Sequence, residues 1–126
     1  MIAAGFGLRR SAGAEELAEL LQRACTESGL SPDRIDCLAT LDQLADHPAI
    51  QMLKENLKKD VQAISKQELS TVSNAVLTRS DRIQELYGVG SVAEAAALIA
   101  AGSKARLRLP RIASASATCA LAEGVR

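Results

Sequence analysis

Residues 2–11 read Ile-Ala-Ala-Gly-Phe-Gly-Leu-Arg-Arg-Ser, and they lead into the amphipathic pattern Glu-Glu-Leu-Ala-Glu-Leu-Leu of residues 15–21. An apolar run followed by helical spacing predicts a β-strand, a loop and then an α-helix. The two glycines would let the backbone turn and come close to a ligand, and the two arginines carry planar donors that bind carboxylates and phosphates. The helix would point its unpaired N–H groups at the same place. The junction therefore predicts a loop that binds an anion.

The rest of the chain alternates between strand and helix patterns. Residues 37–41 and 61–64 are short apolar runs, as expected of strands that helices cover on both faces. Helices are predicted between the strands, the first ending at Gly29 and the second beginning at Pro48. Three further helices are predicted after N-cap serines, Ser65, Ser80 and Ser91, the middle one burying Ile83, Leu86 and Tyr87.

The C-terminal part has a different pattern. Residues 105–109, Ala-Arg-Leu-Arg-Leu, alternate strictly, which predicts a strand with one apolar and one basic face. Pro110 limits its pairing, and a turn near residues 114–116 would join it to a last strand in an antiparallel hairpin at the sheet edge. The predicted fold class is therefore α/β, a three-layer domain with a mostly parallel sheet and a C-terminal antiparallel hairpin, formed as a single domain by residues 1–126.

Composition argues against several classes of function. Fifteen basic residues balance fifteen acidic ones, and aromatic residues are limited to one Phe and one Tyr, so neither charge nor stacking favours nucleic acid. No apolar run approaches the roughly 18 to 20 residues that span a bilayer, so we expect a soluble, cytoplasmic protein without a membrane partner. Cys25, Cys37 and Cys119 are odd in number and widely spaced, which predicts reduced thiols. Neither a metal site nor a cofactor is predicted.

A second segment, taken together with the opening, resembles a known protein family. Residues 88–102 read Gly-Val-Gly-Ser-Val-Ala-Glu-Ala-Ala-Ala-Leu-Ile-Ala-Ala-Gly, and Leu109-Pro110-Arg111 and the run Ala-Thr-Cys-Ala-Leu-Ala of residues 117–122 follow. These segments and the opening resemble the CobE family of cobalamin (vitamin B12) biosynthesis. That family is similar to the C-terminal domain of CbiG, the cobalt-precorrin-5A hydrolase of the anaerobic route. The resemblance extends from Gly5 to Ala122.

The resemblance implies a corrin-ring intermediate as ligand, bound in a cleft at the carboxyl ends of the strands, where α/β sheets collect ligands. Such tetrapyrroles carry a rim of acetate and propionate carboxylates, which guanidinium groups recognise. Arg111 stands where the family usually has a lysine, so a cation is kept. The candidate ligand-binding residues are Gly5, Gly7, Arg9, Arg10, Ser11, Thr40, Asp42, Glu94, Arg111, Ser114, Ser116 and Thr118.

Structural roles are open alternatives for many of these residues. The glycines can serve a tight turn, the arginines can be solvated, and the small residues of the last hairpin can be loop filler. Thr40 can be a core residue and Asp42 a turn cap. Glu94 can complete a capping box with Ser91. His47, the only histidine, is a residue at the start of a helix, a proton carrier or an axial ligand to cobalt.

Three functions follow from the resemblance. A stand-alone domain of this kind looks like an accessory or carrier protein of the aerobic pathway. The alternative is a hydrolase that opens the lactone of cobalt-precorrin-5A and releases a two-carbon fragment, with Asp42 and Thr40 as its catalytic residues. Against it, Leu44 and His47 stand where hydrolase-type sequences usually have a lysine and a glutamate. The third is a subunit that docks onto another pathway enzyme. A homodimer is compatible with each, and catalytic turnover is left open.

Overall fold

The computed structural model describes residues 1–125 and shows the alternation of strands and helices that the sequence predicts. The strands are β1 (Ile2–Leu8), β2 (Cys37–Leu41), β3 (Val61–Ile64), β4 (Ser103–Ala113) and β5 (Ala117–Val125). The helices are α1 (Ala14–Ser28), α2 (Pro48–Leu57), α3 (Lys66–Ser70), α4 (Asp81–Tyr87) and α5 (Val92–Ala101). Single 3₁₀ turns occupy Pro32–Arg34, Asp42–Leu44 and Ser73–Ala75. The predicted domain also includes Arg126, which lies outside the described residues.

The five strands form one sheet in the order β3-β2-β1-β5-β4. The pairs β1 with β2 and β2 with β3 are parallel, while β5 runs antiparallel to both of its neighbours, β1 and β4. The predicted α/β fold with a mostly parallel sheet and a C-terminal antiparallel hairpin is therefore confirmed. The second strand of the hairpin lies inside the sheet beside β1, and β4 forms the edge.

Helices cover both faces of the sheet, which confirms the three layers. Helix α1 buries the predicted apolar stripe, Leu17, Leu20, Leu21 and Ala24, and ends at Gly29 with a positive φ of 73°. Helices α1 and α2 pack on one face, and α3 and α5 pack on the other. The three cysteines are buried and form no disulfide within residues 1–125. None of the helices in that range has the length and apolarity needed to cross a bilayer.

Gly5 decides how closely α5 packs on the sheet. A Cβ atom at Gly5 would lie 2.0 Å from the carbonyl oxygen of Ala93 and 2.6 Å from the backbone nitrogen of Ala97. The prediction that Gly5 turns the backbone is wrong, because β1 continues to Leu8 and Gly5 pairs with both neighbouring strands. Its missing side chain makes room for the backbone of a helix.

The predicted burial along α4 is also wrong. The helix begins after Ser80 as predicted, with the Ser80 hydroxyl accepting from the Ile83 N–H. However, Ile83 and Tyr87 are only half-buried, and Leu86 keeps 47% of its surface exposed. The reason is tertiary, because α4 packs mainly against the short helix α3, and its Ile83 and Tyr87 are only partly buried against the core cluster beneath α5.

Strand β4 does not have a single apolar face, contrary to the prediction from its alternation. Leu107 packs with the cluster beneath α5, whereas Leu109 and Ile112 pack with the cluster beneath α1. The register with β5 shifts between Leu107 and Leu109. A β-bulge of this kind turns the following side chains to the opposite face of the sheet.

We expect Gly5→Ala to lower the free energy of unfolding by about 1–3 kcal/mol or more, since the new methyl group meets the backbone of α5 and the helix must move. Gly13→Ser is the matched control, because a Cβ at Gly13 meets nothing within 4 Å and serine suits this N-cap position. Chemical denaturation measures both variants. Equal stability of Gly5→Ala and the unaltered protein would contradict the close packing.

Candidate functional site

A cleft of about 700 Å³ opens at the carboxyl end of β1. Its walls come from the end of β1 with Arg9 and Arg10, from the turn between β4 and β5, and from α4. Strand order reverses at this point, because the chain runs from β1 through β2 to β3 and then crosses to the other side of β1. Ligands of open α/β sheets bind at such points. The fold therefore places a concave site where the sequence predicts one.

Four arginines line the cleft, Arg9, Arg10, Arg82 and Arg111. None of the four forms a salt bridge within residues 1–125, and no residue that lines the cleft is acidic. Arginine recognises carboxylates and phosphates through two parallel hydrogen bonds. The charged residues that line the cleft are therefore all cationic, in a chain whose formal net charge is zero.

Large apolar side chains line the same cleft, namely Leu8, Leu44, Ile83, Leu86, Tyr87 and Val92. Three of them belong to α4, and they leave apolar surface open to the cleft because α4 buries none of its residues. The lining from the turn between β4 and β5 is small, with Ala115 and Ala117 beside the hydroxyl residues. The site thus combines apolar surface with cationic groups.

The structure brings together seven of the predicted ligand-binding residues around this cleft: Gly7, Arg9, Arg10, Arg111, Ser114, Ser116 and Thr118. Gly5, Ser11, Thr40, Asp42 and Glu94 do not line it. Thr40 is fully buried, and its hydroxyl donates to the carbonyl oxygen of Phe6 at 2.8 Å, which ties β2 to β1. Asp42 is exposed and begins a 3₁₀ turn.

Glu94 is fully buried at the start of α5, and its carboxylate joins three segments of the chain. Oε1 accepts from the N–H groups of Leu77 and Thr78 at 2.7 and 3.0 Å. Oε2 accepts from the Thr78 hydroxyl at 2.5 Å and from the Arg111 N–H at 2.9 Å. Burial alone would raise the pKa of Glu94, but the hydrogen bonds from Thr78, Arg111 and Leu77 lower it below its usual value.

The predicted capping box at Ser91 is therefore only half present. The Ser91 hydroxyl accepts from the Glu94 N–H at 3.2 Å. The carboxylate of Glu94 binds other backbone groups instead of returning to Ser91, because it is drawn to the donors of Leu77, Thr78 and Arg111. Here Glu94 positions the chain on both sides of the cleft, since Arg111 lines it and the segment after Thr78 leads into α4.

Glu16, in the first turn of α1, binds the turn between β4 and β5. Its carboxylate accepts from the hydroxyl groups of Ser114 and Ser116 and, at 2.8 Å, from the Ser116 N–H. These hydrogen bonds lower the pKa of Glu16 to about 2. The two serines that line the cleft are thus held in place by a carboxylate of the protein itself.

His47 has a structural role at the start of α2. Its Nδ1 accepts the Ala49 N–H at 3.0 Å, so the proton lies on Nε2, which donates to the carbonyl oxygen of Arg10 at 3.0 Å. Both ring nitrogens are therefore engaged, as the helix-start alternative requires. They connect the loop after β2 with the loop after β1. Residues 1–125 contain no group of three or more His, Cys, Asp and Glu side chains suited to a metal ion.

Sequence reasoning did not identify Arg82, the apolar residues of α4, or Glu16 as part of the site. The spacing of Ile83, Leu86 and Tyr87 was visible, but it indicated a helix buried on the core and not a wall of a cleft. Glu16 carried no signal, because its partners lie about one hundred residues away along the chain.

Replacing Glu94 by Gln should lower the free energy of unfolding by about 1.5–3 kcal/mol, because an amide NH₂ group then faces a backbone N–H donor. Glu68→Gln is the matched control. Glu68 is also the third residue of a helix, where it forms a capping box with Ser65, and glutamine serves such a box equally well. Urea denaturation of both variants measures the difference, and equal losses would contradict the role of the buried carboxylate.

The hydrogen bonds of Glu16 predict a pH-dependent stability. A carboxyl group whose pKa is lower in the folded protein stabilises it above the unfolded pKa, and this contribution is lost as the pH falls through the folded value. We expect the difference in unfolding free energy between the protein and Glu16→Gln to be largest above pH 4.5 and to shrink toward pH 2. Thermal unfolding across this range measures it, with Glu15→Gln as control. A difference independent of pH would contradict the assignment.

Comparison with known proteins identifies the family of the chain. Residues 2–122 match the family model described as "Cobalamin synthesis G C-terminus". The chain is 33% identical to Protein CobE of Sinorhizobium sp over 118 residues, which cover 94% of this chain and 77% of that protein.

Solved structures are similar as well. The crystal structure of CobE, a protein from the cobalamin (vitamin B12) biosynthetic pathway, matches with a TM-score of 0.92 and 33% identity, covering 99% of this chain and 91% of that one. The cobalamin biosynthesis protein chiG from Agrobacterium tumefaciens matches with a TM-score of 0.78 and 29% identity, covering 100% of both chains. The chain therefore belongs to the family of the cobalamin synthesis G C-terminus, as a CobE-like protein of cobalamin biosynthesis.

Proposed function

We propose that this protein binds a corrin-ring intermediate in the cleft and acts as an accessory or carrier protein of the aerobic cobalamin pathway. The observation that carries the proposal is the gathering of four arginines and an apolar wall in one concave site. A corrin intermediate has the matching chemistry, because its ring is largely apolar and carboxylates surround its rim. A cytoplasmic location is part of the proposal, and no separate cofactor is.

The size of the cleft supports a ligand of this class. Its volume of about 700 Å³ lies within the range of roughly 300–1,000 Å³ found for small-molecule sites. Arg9 and Arg10 approach from the end of β1, and Arg111 approaches from β4. Carboxylates on different edges of one ring would therefore each find a guanidinium partner.

Two observations favour binding over hydrolysis. The cleft is lined by no Asp, Glu, His or Cys side chain that could act as a general base on a bound ligand. The two catalytic candidates also lie outside the lining, with the Thr40 hydroxyl donating to Phe6 and Asp42 exposed on a turn. A protein that receives, shields and releases its ligand needs no such group.

An absorption titration tests the proposal. Cobyrinic acid, a corrin with free side-chain carboxylates, should give a saturable spectral shift and be recovered with unchanged mass. Its fully methylated ester should bind weakly, because the carboxylates that the arginines recognise are neutralised. Release of a two-carbon fragment from cobalt-precorrin-5A would instead establish the hydrolase. No shift with any corrinoid would favour a subunit that docks onto another pathway enzyme.

Removing two cationic groups from the cleft should weaken binding. We expect Arg9→Ala with Arg10→Ala to cost about 1.5–3 kcal/mol of binding free energy for each lost charged hydrogen-bonding group. Arg34→Ala with Lys54→Ala is the matched control, because it removes the same charge from exposed residues that do not line the cleft. Calorimetric titration with cobyrinic acid compares the two, and unchanged affinity in the first double variant would exclude the cationic loop.

A further inference from the structure

Helix α4 has more apolar surface than its place in the fold explains. It is a seven-residue helix without a buried residue. Leu86 is 47% exposed, and Ile83 and Tyr87 are half-buried, yet all three line the cleft. Large apolar side chains that remain uncovered on the wall of a concave site indicate a surface that a ligand covers.

The base of α4 is held firmly on both sides. Before the helix, Glu94 binds the N–H of Thr78 at 3.0 Å and its hydroxyl at 2.5 Å. After the helix, the carbonyl oxygen of Gly90 accepts the Ser80 N–H at 3.1 Å. The two sides touch, because a Cβ at Gly90 would lie 2.1 Å from the Thr78 carbonyl oxygen. The chain thus leaves the core at Thr78 to Ser80 and returns to it at Gly90. These two points are in contact and are called the neck below.

The helix beyond this neck is weakly attached. Ile83 and Tyr87 are only partly buried against the core cluster beneath α5, and the helix packs mainly against α3, which itself has a single buried residue, Leu69. Gly88 caps the C-terminus of α4, and its φ of 76° is the left-handed conformation that glycine adopts without strain. Segments with few buried contacts open at a lower free energy than the rest of a protein. Movement of α4 about a fixed neck would therefore uncover partly buried side chains and leave the fully buried core in place.

We propose that α4 is a clamp that closes over one apolar face of the bound ring, while the arginines hold its carboxylates. This inference rests on the proposed function and adds to it an orientation of the ligand. One face of the ring contacts Ile83, Leu86 and Tyr87, and Arg82 reaches a carboxylate from the same helix. The opposite side of the ring meets the small lining residues, among them Gly7, Ala115 and Ala117.

The charge and the apolar surface of the cleft together indicate the class of ligand. An apolar peptide or lipid chain would leave four guanidinium groups without partners, and a small inorganic anion would leave the apolar side chains of α4 exposed. A flat polycarboxylate satisfies both sets of groups. Its binding would also bury the apolar side chains of α4 that the fold leaves exposed.

The clamp predicts a difference between two exposed leucines. Leu86→Ala removes the contact with the ring face and should weaken binding of cobyrinic acid about tenfold, with little change in unfolding free energy. Leu77→Ala is the matched control, because Leu77 is 64% exposed and lies outside the cleft. Its affinity should equal that of the unaltered protein.

Hydrogen exchange supplies a second readout, which reports on α4 itself. Cobyrinic acid should slow amide exchange in residues 81–88 at least about tenfold, because closing stabilises a segment that otherwise opens locally. The clamp is overturned if the unaltered protein binds, the arginine double variant does not, and neither Leu86→Ala nor exchange in α4 responds. Failure of the unaltered protein to bind would overturn the proposed function and the clamp with it.

Discussion

The structure of the site depends on a buried carboxylate, Glu94, that forms no salt bridge within residues 1–125. Removing a charge from water costs several kcal/mol unless other groups replace the water. For Glu94 the replacement consists of three backbone N–H groups and one hydroxyl, donated by Leu77, Thr78 and Arg111. These donors come from the two segments that flank the cleft. The hydrogen bonds that keep the charge buried therefore also fix the distance between the walls of the cleft. The same side chain sits on α5, which Gly5 holds directly against β1.

How far the sequence predicts this molecule depends on the range of each interaction. Apolar periodicity and caps are local, so the strands, the end of α1 at Gly29 and the start of α2 at Pro48 were predictable. The arginines after β1 were predictable as well, because a loop at the carboxyl end of a strand has a known position in this fold class. The bulge in β4, by contrast, is a matter of register with β5, and alternation along one strand carries no information about it.

The residues of the site show the same limit, that local sequence patterns carry no information about distant contacts. Gly5 was singled out correctly as special, but its reason lies in the backbone of a helix almost ninety residues further along the chain. Glu94 was a candidate ligand-binding residue, with a cap on the neighbouring Ser91 as the local alternative, whereas its carboxylate partners are set by tertiary structure. Composition also gives no information about how charge is distributed, since a chain of zero formal net charge still has four arginines around one cleft. The residue types that form the site were therefore easier to predict than the contacts that position them.

The position of Tyr87 has a consequence of its own. The chain has no tryptophan and this single tyrosine, so nearly all of its intrinsic fluorescence originates from one side chain on the wall of the cleft. In most proteins such emission averages over several sites and reports on folding in general. Here it reports on one place, and a conjugated macrocycle bound nearby would accept its excitation energy. The unlabelled, natural protein thus carries an optical probe beside its own candidate site.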